Sequence, residues 1–485
     1  MNFFYAEGLS RTAISLFFIL KIFAGLALWT LYTYYYPDRA TADIFKYFDD
    51  SKIMYDALFE KPEDFFKMLL GINCHSDYFN LRYFTNMSHW YRALESNLYN
   101  ENQTMIRFNA VVRIISFGYY NVHTVLICFL SLAGLTGIYK TFVRYLQDKK
   151  RLLSILIFIF PSVLFWGSGV LKEALTLFSL GLFIYHFCMA VEKGFSFRRI
   201  FLIILFAFLL GITKIHFLVI TAPGLFAVLW IQKTRNKYPA IKFFIVFLGL
   251  FIFGINIHKI FNVNNPLYVI TEQQSHFIRI ANGGTYLESH NKFVYINYES
   301  KDRIILTETP GYCKIFPGVS YQFWYRGNTK DTFFVASSTD TATYWIYYNQ
   351  KPSGSRIDIN KLEPNAINLL KNSPEAIANV FLRPHILEAK SLLLFLPAIE
   401  NFFILIFAFS TCLFFQRKNH SASMILFCLS IVLLLFTLIG LITPIMGAIV
   451  RYKVPGLPFL LIFLLLLLDK EKLAGKFPFF RKILD

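Results

Sequence analysis

Uninterrupted apolar runs, each near the roughly 20 residues that carry a helix across a bilayer, recur along this chain. They fall at about residues 12–36, 115–143, 152–168, 172–190, 199–213, 216–232, 240–258, 391–415, 421–441 and 453–468. Hydrocarbon offers no water, so backbone N–H and C=O groups must pair within each segment, and an α-helix does this. Charge content agrees: 16% of residues are charged, against about 25% in soluble domains. The pattern predicts an all-α polytopic membrane protein of about ten transmembrane helices. The first run is too long for the apolar part of a cleavable leader and reads as a signal-anchor helix. No CxxC pair, HExxH or Walker-type loop is present, so zinc-protease and P-loop chemistry have no motif behind them.

The Lys and Arg behind the formal charge of +18 are unevenly placed. "QDKKR", "EKGFSFRR", "QKTRNK" and "FQRKNH" follow the second, fourth, sixth and eighth runs, and "DKEKLAGKFPFFRK" lies near the chain's end. Basic loops stay cytoplasmic, which puts both termini on the inner side of a plasma (inner) membrane. Positive charge set between spans speaks for a lipid bilayer as partner and against nucleic acid. Two long segments, 37–114 and 259–390, then lie outside. In the second, "GGTYLESH", "YQFWYRGN" and "YWIYYNQKPSGS" set Gly, Pro and Asn around aromatic runs, the signature of short strands and turns, so a small α+β domain is expected. The chain divides into a transmembrane module over 1–258 with the first outer loop, a loop domain over 259–390 and C-terminal helices over 391–485. Cys74 and Cys313 fall one in each outer loop; a disulfide and two free thiols both suit that spacing.

"TADIFKYFDDSKIMYD", residues 41–56, gathers Asp43, Asp49 and Asp50 just after the first span. On a helix Asp43, Tyr47, Asp50 and Met54 share one stripe, and Ile44, Phe48, Tyr55 and Leu58 share an apolar one. This predicts an amphipathic helix in the interface with its acids turned from lipid. The plainer alternative is a solvated face whose acids pair with Lys46 and Lys52. Other charges join on the same side: Lys172 and Glu173 in "WGSGVLKEAL", Lys214 and His216 in "GITKIHFL", Arg451 and Lys453 in "AIVRYKVPGLP", and Arg383, His385 and Glu388 in "FLRPHILEAK". These connectors are short, and a Lys or Arg costs up to about 2.5–3.5 kcal/mol at a helix centre. An anion should offset them, either the carboxylates themselves or a bound phosphate or diphosphate.

Acids beside cations, next to lipid, suit transfer of a sugar from a polyprenyl-phosphate carrier to a glycan, lipid or protein acceptor. Cations such as Lys172, Lys214, Arg383, Arg451 and Lys453 would stabilise charge growing on the leaving phosphate. Glu173, His216, His385 and Glu388 would orient them. A carboxylate would take the acceptor's proton, and a single displacement would invert the anomeric centre. Trp90, Trp166, Trp324 and Trp345 are candidates to stack on sugars or to anchor at the interface. This layout, with "ADIFKYFDDSKIMYDALFEKP" after the first span, resembles the GT-C superfamily of integral-membrane glycosyltransferases. Members use polyprenyl-linked donors, and some carry an Asp-x-x-x-Tyr/Phe-x-x-Asp pattern in a large first outer loop. The resemblance implies Asp43 as catalytic base, with Asp49 or Asp50 assisting it or binding metal. Some members need a divalent metal, but no DxD triplet stands here, so the cofactor is left open.

Two rivals make different demands. An oligosaccharide polymerase or ligase, or an oligosaccharyltransferase, working on diphosphate-linked glycans would lean on Arg383 and His385. A transporter or lipid flippase needs ionisable groups meeting near the midplane, where Lys21, His186 and Glu400 are the candidates.

Overall fold

The computed structural model describes residues 2–35, 39, 42–91, 99–234, 237–261, 263–289, 292–309, 311–325, 332–344, 346–416 and 422–478. After α1 (Arg11–Tyr34) the described residues of segment 37–114 form α2 (Asp43–Glu60), α3 (Pro62–Leu70), α4 (Asp77–Arg82) and α5 (Glu101–Ser116). Next run α6 (Tyr120–Phe142), α7 (Lys150–Phe158), α8 (Pro161–Trp166), α9 (Lys172–Lys193), α10 (Phe197–Lys233) and α11 (Pro239–Ile260). Segment 259–390 holds α12 (Pro266–Asn282), eight strands among its described residues, and α13 (Ala366–Leu382). It is followed by α14 (Leu392–Leu413), α15 (Ala422–Ile442), α16 (Met446–Tyr452), α17 (Leu457–Leu467) and α18 (Lys470–Lys476). Among the described residues, 8 helical stretches are long and apolar enough to cross a membrane, so this is a multi-pass helical protein.

The count differs from ten for two physical reasons. Pro161 removes an amide donor and would clash with the preceding turn, so the run at 152–168 splits into pieces of 9 and 6 residues, α7 and α8. Conversely, the runs at 199–213 and 216–232 form one 37-residue helical stretch, α10. Straight, it would measure about 55 Å, nearly twice a bilayer core. It is not straight: Lys214 leaves helical geometry at φ −155°, ψ 91°. Gln232 then returns beside Glu192, close to where α10 begins. The last run also starts earlier than the apolar pattern indicated, at Met446.

The last span (Met446–Leu467), α6 and α9 form the centre, with 83%, 72% and 67% of their apolar windows buried, whereas α11, at 11%, is largely exposed. Helices α6 and α9 pack along each other. They approach through glycine: a Cβ on Gly181 would collide with the Gly134 carbonyl, and one on Gly134 with the Leu177 carbonyl. Helices α2–α5 form a helical cap on this pair. Its core of Met54, Phe65, Met68, Phe84, Trp90 and Met105 runs on into Ile127 of α6 and Ala174 of α9.

In the second segment the strands are β1 (Gly284–Ser289), β2 (Lys292–Asn297), β3 (Ile304–Leu306), β4 (Tyr312–Ile315), β5 (Ser320–Tyr325), β6 (Thr332–Val335), β7 (Asp340–Thr343) and β8 (Ile346–Gln350). They build a five-stranded antiparallel sheet ordered β6-β5-β2-β1-β8 and a three-stranded one ordered β3-β4-β7. Helix α13 leaves these sheets to pack on α15, where Gly440 lies against the backbone of Ala376. Cys74 belongs to the cap core and Cys313 to the sheet core; both are buried free thiols, so the bridge between them does not form.

Candidate functional site

The charged residues meet where the helical cap joins the bundle. Glu173, in the first turn of α9, is fully buried and lies 3.1 Å from Lys214 Nζ through Oε1 and 3.1 Å from Arg451 Nε through Oε2. The other face of the Arg451 guanidinium donates through Nη1 to Asp43 Oδ2. Asp43 Oδ1 is 3.1 Å from Lys46 Nζ. A continuous chain of charge results: Lys46, Asp43, Arg451, Glu173, Lys214. Beside it Lys172 Nζ is 3.3 Å from Glu101 and donates over 2.6 Å to Asn102 Oδ1, which also receives the Tyr47 hydroxyl at 3.2 Å. Lys172 lies over the Tyr47 ring and Lys214 over the Tyr452 ring. Helix ends explain the arrangement: Asp43, Glu101 and Glu173 occupy first turns and Arg451 a last turn, the termini where each sign is favoured.

Among the described residues, four cations (Lys46, Lys172, Lys214, Arg451) face three carboxylates (Asp43, Glu101, Glu173), leaving one positive charge in excess. Asp43 and Glu101, with side chains 31% and 33% exposed, open the cluster to solvent, and Glu173 forms its floor. Burial alone would raise the Asp43 carboxyl; Arg451 and Lys46 override it and hold the group well below the usual carboxylate range. Burial, with Asp43 nearby, pushes the Tyr47 phenol far up, so it stays a donor.

Because the folded-state value of Asp43 is depressed, its contribution to stability is present above the unfolded value and lost as pH falls toward the folded one. The stability difference between wild type and Asp43→Asn should therefore hold steady from about pH 5 to 9 and shrink below about pH 4. Thermal unfolding in detergent reads it. A difference that changes between pH 6 and 8 would contradict the assignment.

Several expected residues lie elsewhere. Asp49 forms a surface pair with Arg39 at 2.7 Å. Asp50 is buried and accepts the backbone N–H groups of Ser88 and His89 at 3.0 and 2.8 Å, anchoring a loop of the cap. The orientation expected for α2 is thus corrected: Tyr47, Asp50 and Met54 face protein, as do Ile44 and Phe48, because α5 and the 83–91 segment cover that side. Lys453, two positions from Arg451, turns away and donates to Asn401 Oδ1 at 2.7 Å. Arg383 and His385 share Glu388 at 3.5 and 3.3 Å, and Asn401 ties this turn to Lys453 through the Pro384 carbonyl. Lys453, Arg383, His385 and Glu388 therefore make a second node. His216 packs on Phe217 within electrostatic range of Lys214, Lys172 and Glu101.

Trp90 stacks on Phe84 with centroids 4.1 Å apart and is covered, so no sugar reaches its face. Trp166 meets Phe165 edge-on; Trp345 and the Trp324 side chain lie outside the described residues. Lys21, His186 and Glu400 do not converge: they engage the Gly167 carbonyl, the Phe206 ring and the Ser162 N–H.

Glu101, Asn102 and Tyr452 belong to the cluster although their sequence neighbourhoods gave no sign of it. The capping run "NENQ" marks only a helix start, where Asn100 accepts from the Asn102 N–H and Glu101 opens α5. Among the described residues no group of three His, Cys, Asp or Glu side chains is placed to hold a metal ion. What fold and cluster define together is a multi-pass helical membrane protein with a charge network seated under a helical cap. Compared with known family models, curated proteins and solved structures, the chain matches none.

Proposed function

We propose that the protein is a membrane glycosyltransferase of GT-C type, moving a sugar from a polyprenyl-phosphate-linked donor to an acceptor on the extracytoplasmic face with inversion. The observation that carries this reading is the charge network, assembled from five helices with one positive charge in excess and opening at Asp43. A sugar joined to lipid through one phosphate bears a single negative charge, which that excess complements. A diphosphate-linked donor bears two. Arg383 and His385, on which a diphosphate-using polymerase or ligase would lean, are both committed to Glu388. The basic loops support the topology, since they put the opposite ends of the helices in the cytoplasm.

The donor phosphate sits against Arg451, Lys214 and Lys172 and competes with Asp43 for the guanidinium. Asp43, so loosened, regains proton affinity. It takes the acceptor hydroxyl's proton while that oxygen attacks the anomeric carbon, and the bond from carbon to phosphate oxygen breaks with its electron pair on the phosphate. The phosphate thereby passes from one negative charge to two. In the same step Asp43 loses its charge, so the excess of the site rises from one to two. Charge created on the leaving group is met by charge uncovered beside it, with Arg451 and Lys214 held in place by Glu173. No general acid is required.

Purified protein in mixed micelles should turn over a short-chain polyprenyl-monophosphate sugar. Lys172→Met should lower that turnover by about tenfold or more, the scale of one lost charge-assisted contact. Consumption of diphosphate-linked glycans alone, or equal turnover by Lys172→Met, overturns the reading.

A further inference from the structure

At the end of α9 remote from Glu173, a cavity of about 300 Å³ opens between the end of α6, α9, the second limb of α10 and the start of α15. Glu192 on its rim is nineteen residues along α9 from Glu173, about 29 Å at 1.5 Å per residue, or one hydrocarbon thickness. The cavity therefore sits at the membrane boundary opposite the charge network. Its floor is apolar and covered, formed by Cys188, Val228 and Met424. Its rim is not: Arg144, Tyr145, Glu192 and Gln232 line it, the Arg144 guanidinium donates to Glu192, and Glu192 is 49% exposed. Neither the Gln232 side chain nor the Tyr145 hydroxyl is hydrogen-bonded among the described residues.

We propose that this cavity binds the headgroup of a phospholipid carrying a primary ammonium, a phosphoethanolamine. One cation and one anion set side by side match a zwitterion: phosphate oxygens accept from Arg144 and Tyr145, and the ammonium donates to Glu192 and to the Gln232 carbonyl. An anionic head would meet Glu192 with like charge. A quaternary ammonium has no N–H for Glu192 or Gln232 to receive. Bound there, the lipid links four helices that otherwise meet around a void, and it adds stability by mass action. This inference is independent of the glycosyl-transfer reading.

The test uses the full chain in detergent, offered dioleoyl phosphatidylethanolamine, phosphatidylcholine or phosphatidylglycerol, with retained lipid counted by native mass spectrometry and unfolding temperature recorded in parallel. The ethanolamine lipid should be retained about tenfold better than the choline lipid, the scale of a charge-assisted contact. Glu192→Gln should reduce it to the choline level without weakening the glycerol lipid, and Arg144→Gln should weaken all three. Gln232→Leu, at an exposed position, should halve the preference or more while leaving the unfolding temperature of the lipid-free protein unchanged. Equal retention of ethanolamine and choline lipids, or a preference that survives Glu192→Gln, overturns the proposal. Preference for the glycerol lipid in wild type does so too, marking a site for anionic lipid.

Discussion

Asp43→Asn is expected to cut sugar transfer by about 10²–10⁴, the range that a positioned general base supplies, while the protein still folds. The substitution keeps shape and a hydrogen-bond acceptor beside Arg451 but removes the basic oxygen that Arg451 holds at the mouth of the network. Glu101 is comparably exposed, but it pairs with Lys172, whereas Asp43 pairs with Arg451. Asp49→Asn is the control, because its partner is Arg39 at the surface; it should retain turnover within a few-fold. Arg383→Gln should likewise retain it. Turnover measured with a monophosphate-linked donor, alongside the lipid-linked sugar that builds up in cells, decides the matter. Near-normal transfer by Asp43→Asn would remove the base from the scheme, and collapse in Arg383→Gln would move the chemistry to the second node.

The other large effect concerns the α6–α9 crossing. Gly181→Leu should give no folded protein, because its Cβ would fall inside the Gly134 carbonyl and neither backbone can yield without separating the helices. Close approach through small residues is how helices associate where lipid removes the hydrophobic drive. Even Gly181→Ala should lower the unfolding temperature clearly. Gly249→Ala provides the contrast: nothing lies within 4 Å of a Cβ there, and Ala favours a helix over Gly by about 0.8–1.0 kcal/mol, so it should be neutral or mildly stabilising. Equal behaviour of the two Ala variants in detergent unfolding would contradict the packing described.

What the residues disclosed in advance, and what they did not, follows from the kind of information each pattern holds. Apolar runs located the spans because bilayer thickness imposes length directly. Pro161 and Lys214 were visible too, but not what each does to a helix: one splits a run into pieces too short to count, the other folds a single helical stretch back on itself. The Asp43 stripe showed that α2 has faces, not which one meets protein; that depended on the 83–91 segment, whose N–H groups needed the Asp50 carboxylate. Arg451 and Lys453 looked like one basic pair. Two positions apart on a helix is about 200° of rotation, so they were bound to serve different neighbours. Glu101 and Asn102 stayed hidden because nothing local ties α5 to Lys172, seventy residues on.

The order in which the network's members are synthesised has its own consequence. Lys214 leaves the ribosome 41 residues after Glu173, so that carboxylate can be neutralised while the chain is still being threaded into the membrane. Asp43 must wait 408 residues for Arg451. A chain cut short before α16 would leave Asp43 and Glu173 without their shared guanidinium. Translation of the final helices is thus the event that completes the charge network.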